Sequence, residues 1–192
     1  MPKIAEIEPT PNPTARKFVL REPLTYGVSR SYESAEAARG DLLAEALFAI
    51  PHVTSVFYVD TWITVTQDGT ADWNELARQV AVPIREAPTA AERTAEFLEN
   101  DDSPLAHVTP VDELSAEDAQ KLEMIESVLD QQVRPYLRGD GGDVHILGLE
   151  GNQLKLHYQG ACGGCPSAFS GTLSAIEFMV REIDPELQVV PV

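Results

Sequence analysis

Residues 160–167 read Gly-Ala-Cys-Gly-Gly-Cys-Pro-Ser and contain both cysteines of the chain, Cys162 and Cys165. A strand-like run precedes this stretch and an apolar run of helical length follows it, so we expect a tight turn between a strand and a helix. The two glycines between the cysteines permit a sharp turn and let backbone N–H groups approach sulfur. Pro166 suits the first turn of a helix, whose positive N-terminal dipole would favour the thiolate form of the cysteines.

The residues around this turn predict a small α-β-β-α-β domain. Ser115 is a plausible N-cap, the apolar residues after it recur at helical spacing, and Gly139 is a natural helix end. Residues 143–149 and 154–159 form a hairpin around Gly151-Asn152, and a second helix ends near Ile183 before a last strand at 187–192. The first helix offers Leu122, Ile125, Leu129, Val133 and Tyr136 for burial, and the second offers Leu173, Ile176, Phe178, Met179, Val180 and Ile183. We therefore predict a three-stranded mixed sheet in this domain.

The first 86 residues predict a second, separate α+β domain that contains no cysteine. Its elements are a short strand at Phe18-Val19-Leu20, a helix capped by Asp41 with Leu42, Leu43, Ala46, Leu47 and Ile50 on its apolar side, a hairpin from residues 53–59 and 62–66, and a helix capped by Asp72. Pro83 is expected to end or kink that last helix. His52 follows Pro51 and is interpreted as a turn residue, so this domain offers no chemistry of its own.

Charge separates the two domains. Lys and Arg number 14 against 31 Asp and Glu, which gives a net charge of −17. Residues 86–126 alone carry 12 acidic and 2 basic side chains, and the prolines among them are typical of a solvated tether. We predict an N-terminal α+β domain at 1–86, an acidic linker at 87–111 and a C-terminal domain at 112–192.

The same composition limits partners and location. An acidic chain is a poor partner for nucleic acid or an anionic membrane, because both require a basic surface. No apolar run approaches the about 20 residues that span a bilayer, and the first residues lack the layout of a secretion or transit signal. The sequence therefore predicts an intracellular, cytoplasmic protein, or a mature form whose leader has been removed.

A single Cys-x-x-Cys pair supplies two metal ligands, whereas an iron–sulfur cluster or a structural zinc site takes four. The chain holds no second pair, so a complete four-thiolate site requires two protomers about a twofold axis. His157 offers a mixed site within one chain, although its place on the polar face of a strand favours a solvated side chain. Cys162 and Cys165 are thus the predicted metal and cofactor ligands.

Three other interpretations stay open. A dithiol oxidoreductase of the thioredoxin sort fits the strand–Cys-x-x-Cys–helix order, but only 27 residues follow Cys165, too few for the rest of such a sheet. A zinc-bridged structural dimer uses the same four thiolates. Asp140-Gly141-Gly142-Asp143 offers carboxylates to a metal, but a helix end and a turn into the hairpin explain it better.

Three stretches around the cysteines resemble the NifU C-terminal, or Nfu-type, iron–sulfur cluster domain. They are Arg134-Pro135-Tyr136-Leu137, Asp140-Gly141-Gly142-Asp143-Val144 and Gln159-Gly160-Ala161-Cys162-Gly163-Gly164-Cys165-Pro166-Ser167. Four stretches of the first domain resemble the N-terminal domain of Nfu proteins. They are Glu8-Pro9-Thr10-Pro11-Asn12-Pro13, Ala46-Leu47-Phe48-Ala49-Ile50-Pro51, Ile63-Thr64-Val65-Thr66 and Ala71-Asp72-Trp73. The resemblance covers nearly the whole chain apart from the linker.

This resemblance implies a scaffold or carrier rather than an enzyme. It implies that Cys162 and Cys165 hold a [4Fe–4S] cluster, with [2Fe–2S] as the alternative, shared between the two chains of a homodimer. It implies apo iron–sulfur proteins as acceptors and upstream cluster-assembly proteins as further partners. Pro83 and the long acidic linker depart from the family pattern, but neither touches the cysteine site.

Overall fold

The computed structural model describes residues 1–92, 115–165 and 171–192. The chain divides into two compact units, Met1–Pro104 and Leu105–Val192. Most of the predicted linker, residues 93–111, lies outside the described residues, so the limits at 86 and 112 remain predictions. Within the described ranges, no helix is both long enough and apolar enough to cross a membrane.

Residues 1–92 of the N-terminal unit form an antiparallel sheet of five strands with two helices. Its elements are β1 (Ile4–Pro9), β2 (Ala15–Leu20), β3 (Arg30–Tyr32), α1 (Leu42–Phe48), β4 (Val53–Val59), β5 (Trp62–Gln67) and α2 (Trp73–Glu86). The strand order is β1-β2-β5-β4-β3, so β1 and β3 are the edges. The buried core joins one face of the sheet to both helices and includes Phe18, Leu47, Tyr58, Ile63 and Val80. The predicted hairpin of β4 and β5 is confirmed, whereas the sequence did not predict β1 or β3.

Two helix predictions in this unit need correction. Asp41 caps α1 as predicted, by accepting hydrogen bonds from the N–H groups of Leu43 and Ala44, but Leu42 is 63% exposed rather than part of the apolar side. Pro83 does not end α2, which continues to Glu86. The proline lies in the last turn, where the backbone hydrogen bond it removes is close to the solvated end of the helix. His52 has a φ of +75°, as its assignment to a turn requires.

Residues 115–165 and 171–192 of the C-terminal unit contain three helices and three strands. Its elements are α3 (Ala116–Gln132), α4 (Arg134–Gly139), β6 (Gly142–Glu150), β7 (Gln153–Gly160), α5 (Leu173–Ile183) and β8 (Gln188–Pro191). The strand β7 lies in the middle, antiparallel to β6 and parallel to β8. The predicted α+β class with a three-stranded mixed sheet is therefore confirmed, and the sheet and helices enclose one buried core.

The predicted first helix is in fact two helices. Ser115 caps α3 as expected, but the helix ends at Gln132 and α4 starts at Arg134, with Pro135 in its first turn. Tyr136 on α4 is 76% exposed although its spacing predicted burial. Phe178 on α5 is also exposed, at 65%. The remaining predicted core positions of both helices lie in or against the buried core.

Candidate metal centre

The two cysteines lie on one tight turn at the end of β7. Gly160 ends the strand with a φ of +63°, a conformation that glycine adopts at no steric cost. The N–H of Gly163 donates to the carbonyl of Gly160 at 3.2 Å, and the N–H of Cys165 donates to the carbonyl of Cys162 at 3.3 Å. Two successive turns therefore hold Cys162 and Cys165 on one short loop.

The turn is also tied to the opposite strand. The N–H of Ala161 donates to the carbonyl of Gly141 at 3.0 Å, and Gly141 has a φ of +83° at the entry to β6. The predicted role of Pro166 falls outside the described residues, and the described part of α5 begins at Leu173. The turn lies where the sequence predicted it. The helix N-terminus expected beside the sulfurs, at Pro166, lies outside the described residues and stays a prediction.

Both cysteines are thiols and both are buried, with 4% of Cys162 and 5% of Cys165 exposed. Burial, together with the charges of Asp140, Cys165 and Asp143, raises the pKa of Cys162 to about 12. The expectation that the site favours thiolate is therefore wrong for Cys162, whose thiol is neutral at pH 7. A metal bound here must displace that proton.

Gly142 lies directly against Cys162. A Cβ atom at this position would lie 2.6 Å from the carbonyl oxygen of Gln159 and 2.9 Å from the Cβ of Cys162, and it would also overlap the Cys162 sulfur. Real Cβ atoms do not approach other atoms so closely, so the site requires glycine for space. The sequence indicated a Gly-Gly turn here, but the pattern held no sign that the second glycine makes room for a cysteine 20 residues later.

A buried carboxylate anchors the strand beside the turn. Asp143 is 1% exposed; it accepts a hydrogen bond from Nε of Arg138 at 3.0 Å and one from the N–H of Val144 at 2.8 Å. Nε of Arg134 lies 3.6 Å from Oδ1 of Asp143 and donates a hydrogen bond to the Val144 carbonyl at 3.0 Å. Asp143 is thus engaged with two arginines, which supports the turn interpretation of Asp140–Asp143 over a metal-ligand one.

The histidines near the site have other contacts. His145 and His157 face each other across β6 and β7, and Nδ1 of His157 lies 3.1 Å from the carbonyl oxygen of Val192. Burial lowers the pKa of His145. Across the described ranges, no group of three or more His, Cys, Asp or Glu side chains is arranged to hold a metal ion.

Gln159 is a buried residue that the alternation of β7 placed on the polar side of the sheet. It is 1% exposed, and neither its amide nitrogen nor its amide oxygen has a hydrogen-bond partner among the described residues. Its Cα pairs with that of Asp143. The sequence did not predict that Gln159 is buried close to the cysteine turn. Strand alternation shows on which face of the sheet a residue lies, but not whether other parts of the protein cover that face.

Two family models match the chain, one for each unit. Residues 4–91 match the model described as scaffold protein Nfu/NifU N terminal. Residues 125–190 match the NifU-like domain. The second range includes both cysteines, Gly142 and Asp143.

Related proteins match over almost the whole chain. A human protein named as a mitochondrial iron–sulfur cluster scaffold homolog, NFU1, is 32% identical over 185 residues, covering 95% of this chain and 69% of its own length. NifU-like protein 4 of Arabidopsis thaliana, named as mitochondrial, is 28% identical and covers 95% of this chain and 63% of its own length. A crystal structure of a Staphylococcus aureus protein aligns with 43% of this chain and 98% of its own, at 24% identity and a TM-score of 0.38.

The chain belongs to the Nfu/NifU family of iron–sulfur cluster scaffold proteins. It spans about two thirds of the length of these curated relatives, from 63% to 69%. The family consists of scaffolds rather than catalysts, as the resemblance implied.

Proposed function

We propose that this chain carries a [4Fe–4S] cluster held between two protomers, each of which contributes Cys162 and Cys165, and passes it to apo iron–sulfur proteins. The observation that supports this most strongly is the cysteine count. A cluster of this type takes four thiolates, the chain has two cysteines, and one tight turn carries both. A second copy of the same turn completes the set without any residue from elsewhere in the chain.

The protonation of Cys162 suits a carrier better than a permanent cluster protein. Loading displaces the proton of a thiol whose pKa is raised to about 12, which lowers the net affinity for iron at neutral pH. During transfer, an acceptor thiol loses a proton and binds iron as Cys162 leaves. The departing thiolate takes up a proton as Cys162 returns to its buried position, where its pKa is raised, and the protonated sulfur is a poor ligand for iron.

Access to the sulfurs is the other requirement. Each cysteine exposes 5% or less of its surface, so a partner chain and an acceptor reach iron only when the sulfurs turn outward or the loop opens. The hydrogen bonds within the turn are long, at 3.2 and 3.3 Å, and two glycines separate the cysteines. We propose that this loop moves during loading and release, with Gly142 and β6 as its fixed support.

The test is anaerobic reconstitution with iron and sulfide, followed by mixing with an apo-ferredoxin that binds [4Fe–4S]. The wild-type chain is expected to become coloured and then to transfer its iron to the ferredoxin. Cys162→Ser and Cys165→Ser should each lose cluster binding and transfer while remaining folded. Glu123→Gln, a change at an exposed residue of α3, is the matched control and should load and transfer normally.

The result also separates the open alternatives. Disulfide cycling with insulin-reductase-like activity and no iron uptake would make the chain a dithiol oxidoreductase. A colourless dimer with stoichiometric zinc would make the site structural. The upstream assembly proteins and the cytoplasmic location remain predictions, and the relatives described above are named as mitochondrial.

A further inference from the structure

The N-terminal unit contains a groove that has no part in the cysteine site. It lies between α2 and the strands β1 and β2, with a volume of about 790 Å³, which is within the about 300–1,000 Å³ range of ligand-binding clefts. Its lining is Ile7, Arg16, Ala71, Asp72, Trp73, Asn74, Ala77, Arg78, Ala81 and Arg85. Three arginines in one groove are notable in a chain with a net charge of −17.

The arginines are available for an anion. Arg16 lies over the ring of Trp73 at 5.2 Å, a contact that holds the guanidinium at the groove wall. Arg78 and Arg85 are exposed, and neither forms an ion pair with any other residue that the structure describes. The lining contains three arginines and one carboxylate, that of Asp72, so the groove keeps an excess of positive charge.

The spacing of the charges indicates the shape of a ligand. Arg78 and Arg85 are seven residues apart on α2, which separates their Cα atoms by about 10 Å along the helix axis. A peptide in the extended polyproline-II conformation rises about 3.1 Å per residue with three residues per turn, so two carboxylates three residues apart lie on the same side of it and span about the same distance. Ala77 and Ala81 leave room between the arginines, and Ile7, 42% exposed at the outer strand, offers an apolar contact.

We propose that this groove binds an extended acidic segment of a partner protein, with two carboxylates three residues apart on Arg78 and Arg85 and an apolar residue between them beside Trp73. Arg–carboxylate hydrogen bonds are charge-assisted and directional. This inference goes beyond the proposed function and does not depend on the cysteines.

The test is an NMR titration of the nitrogen-15-labelled full chain with an acetylated peptide, Gly-Glu-Ala-Phe-Glu-Gly. The chain has two tryptophans, and their indole N–H signals report on two places: Trp73 lines the groove, whereas Trp62 lies under Lys17 outside it. At about 150 mM salt, which screens charges more than about 8 Å apart, the Trp73 signal is expected to shift saturably while the Trp62 signal stays. The same peptide with Gln in place of both Glu residues should not shift either signal.

Matched variants decide between a specific groove and general charge attraction. The double variant Arg78→Gln/Arg85→Gln is expected to weaken peptide binding about tenfold or more. Arg21→Gln/Arg39→Gln removes the same charge from exposed positions outside the groove and is expected to change binding less than about twofold. Cys162→Ser should bind the peptide as the wild type does. An unmoved Trp73 signal, equal shifts at both tryptophans, equal losses in the two double variants, or binding of the Gln peptide would each overturn the proposal.

Discussion

Gly142 and Cys162, which lie 20 residues apart in the chain, are in direct contact where β6 begins and β7 ends. The contact leaves no room for a side chain on Gly142: a Cβ there would lie 2.6 Å from the Gln159 carbonyl oxygen and would overlap the Cys162 sulfur. The neighbouring Gly141 has a positive φ of +83°, so the two adjacent glycines serve different purposes. One makes the turn and the other makes space for the cysteine.

Gly142→Ala should therefore disturb the cysteine turn directly. Because the added methyl group meets backbone as well as sulfur, we expect a loss of about 1–3 kcal/mol in the stability of the C-terminal unit and a lower iron content after reconstitution. Urea denaturation and iron analysis measure the two effects. Gly139→Ala is the control, since a Cβ there meets nothing within 4 Å; equal behaviour of the two variants would disprove the packing argument.

Asp143→Asn should destabilise the C-terminal unit by about 3 kcal/mol or more, because it removes the charge between two arginines at a buried position. Arg138 loses its direct carboxylate acceptor at 3.0 Å. Arg134, with 9% of its side chain exposed, lies 3.6 Å from Asp143 and keeps its ion pairs with Glu126 and Asp130. Urea denaturation provides the measurement. Asp140→Asn makes the same chemical change at an exposed residue and should cost less than about 0.5 kcal/mol. A loss of that small size at Asp143 would show that the network contributes little.

The C-terminal unit should lose stability as the pH falls below about 6.5. Burial is the main cause of the lowered pKa of His145, opposed by Asp143 and Glu126 and reinforced by Arg134 and His157. Because the unfolded chain then binds a proton that the folded chain does not, stability is complete above the unfolded pKa of about 6.5 and falls below it.

Amide hydrogen exchange in β6 and β7 between about pH 7 and pH 5 measures this effect. His145→Gln should flatten the pH dependence, whereas His52→Gln, at an exposed position in the other unit, should leave it unchanged. A pH dependence that persists in full in His145→Gln would assign the effect to another group.

Asp41→Ala should destabilise the N-terminal unit alone. Asp41 accepts hydrogen bonds from the N–H groups of Leu43 and Ala44 at 3.1 and 3.0 Å, and from the hydroxyls of Tyr32 and Tyr58. Loss of the cap and of the acceptor for two buried hydroxyls should cost about 2–3 kcal/mol. Both tryptophans lie in this unit, so their fluorescence follows its unfolding. Iron loading should be unchanged, and Asp41→Asn should restore part of the stability.

Sequence patterns predicted the elements that bury one regular face and missed those that do not. The strands β1 and β3 were not predicted, because β1 is an edge strand whose residues are exposed or half-buried and β3 is only three residues long. Tyr136 and Phe178 were placed in the core by spacing, but spacing cannot show where one helix gives way to another or which flank of a helix stays open. The prediction that Pro83 ends α2 overestimated its effect, because a proline in the last turn of a helix costs little helix stability.

Only the residue types of the candidate site and their spacing along the chain could be predicted. The Cys-x-x-Cys motif, the glycines and the strand before them could be found from residue types and spacing. The raised pKa of Cys162, the contact with Gly142 and the arginine pair around Asp143 arise from packing between distant segments, which no local pattern records. For the same reason, the groove at Arg78 and Arg85 was not predicted.

Native mass spectrometry of the anaerobically reconstituted full chain tests the central claim most directly, because it weighs protein and cluster together. We expect the wild-type chain to form a dimer that carries one [4Fe–4S] cluster, about two irons per chain. We expect the Cys162→Ser chain to stay monomeric under the same conditions. A dimer with about one iron per chain would keep the carrier but replace the cluster with [2Fe–2S]. A monomer that holds a complete cluster, or a Cys162→Ser chain that still binds iron in full, would contradict a cluster shared between two cysteine turns.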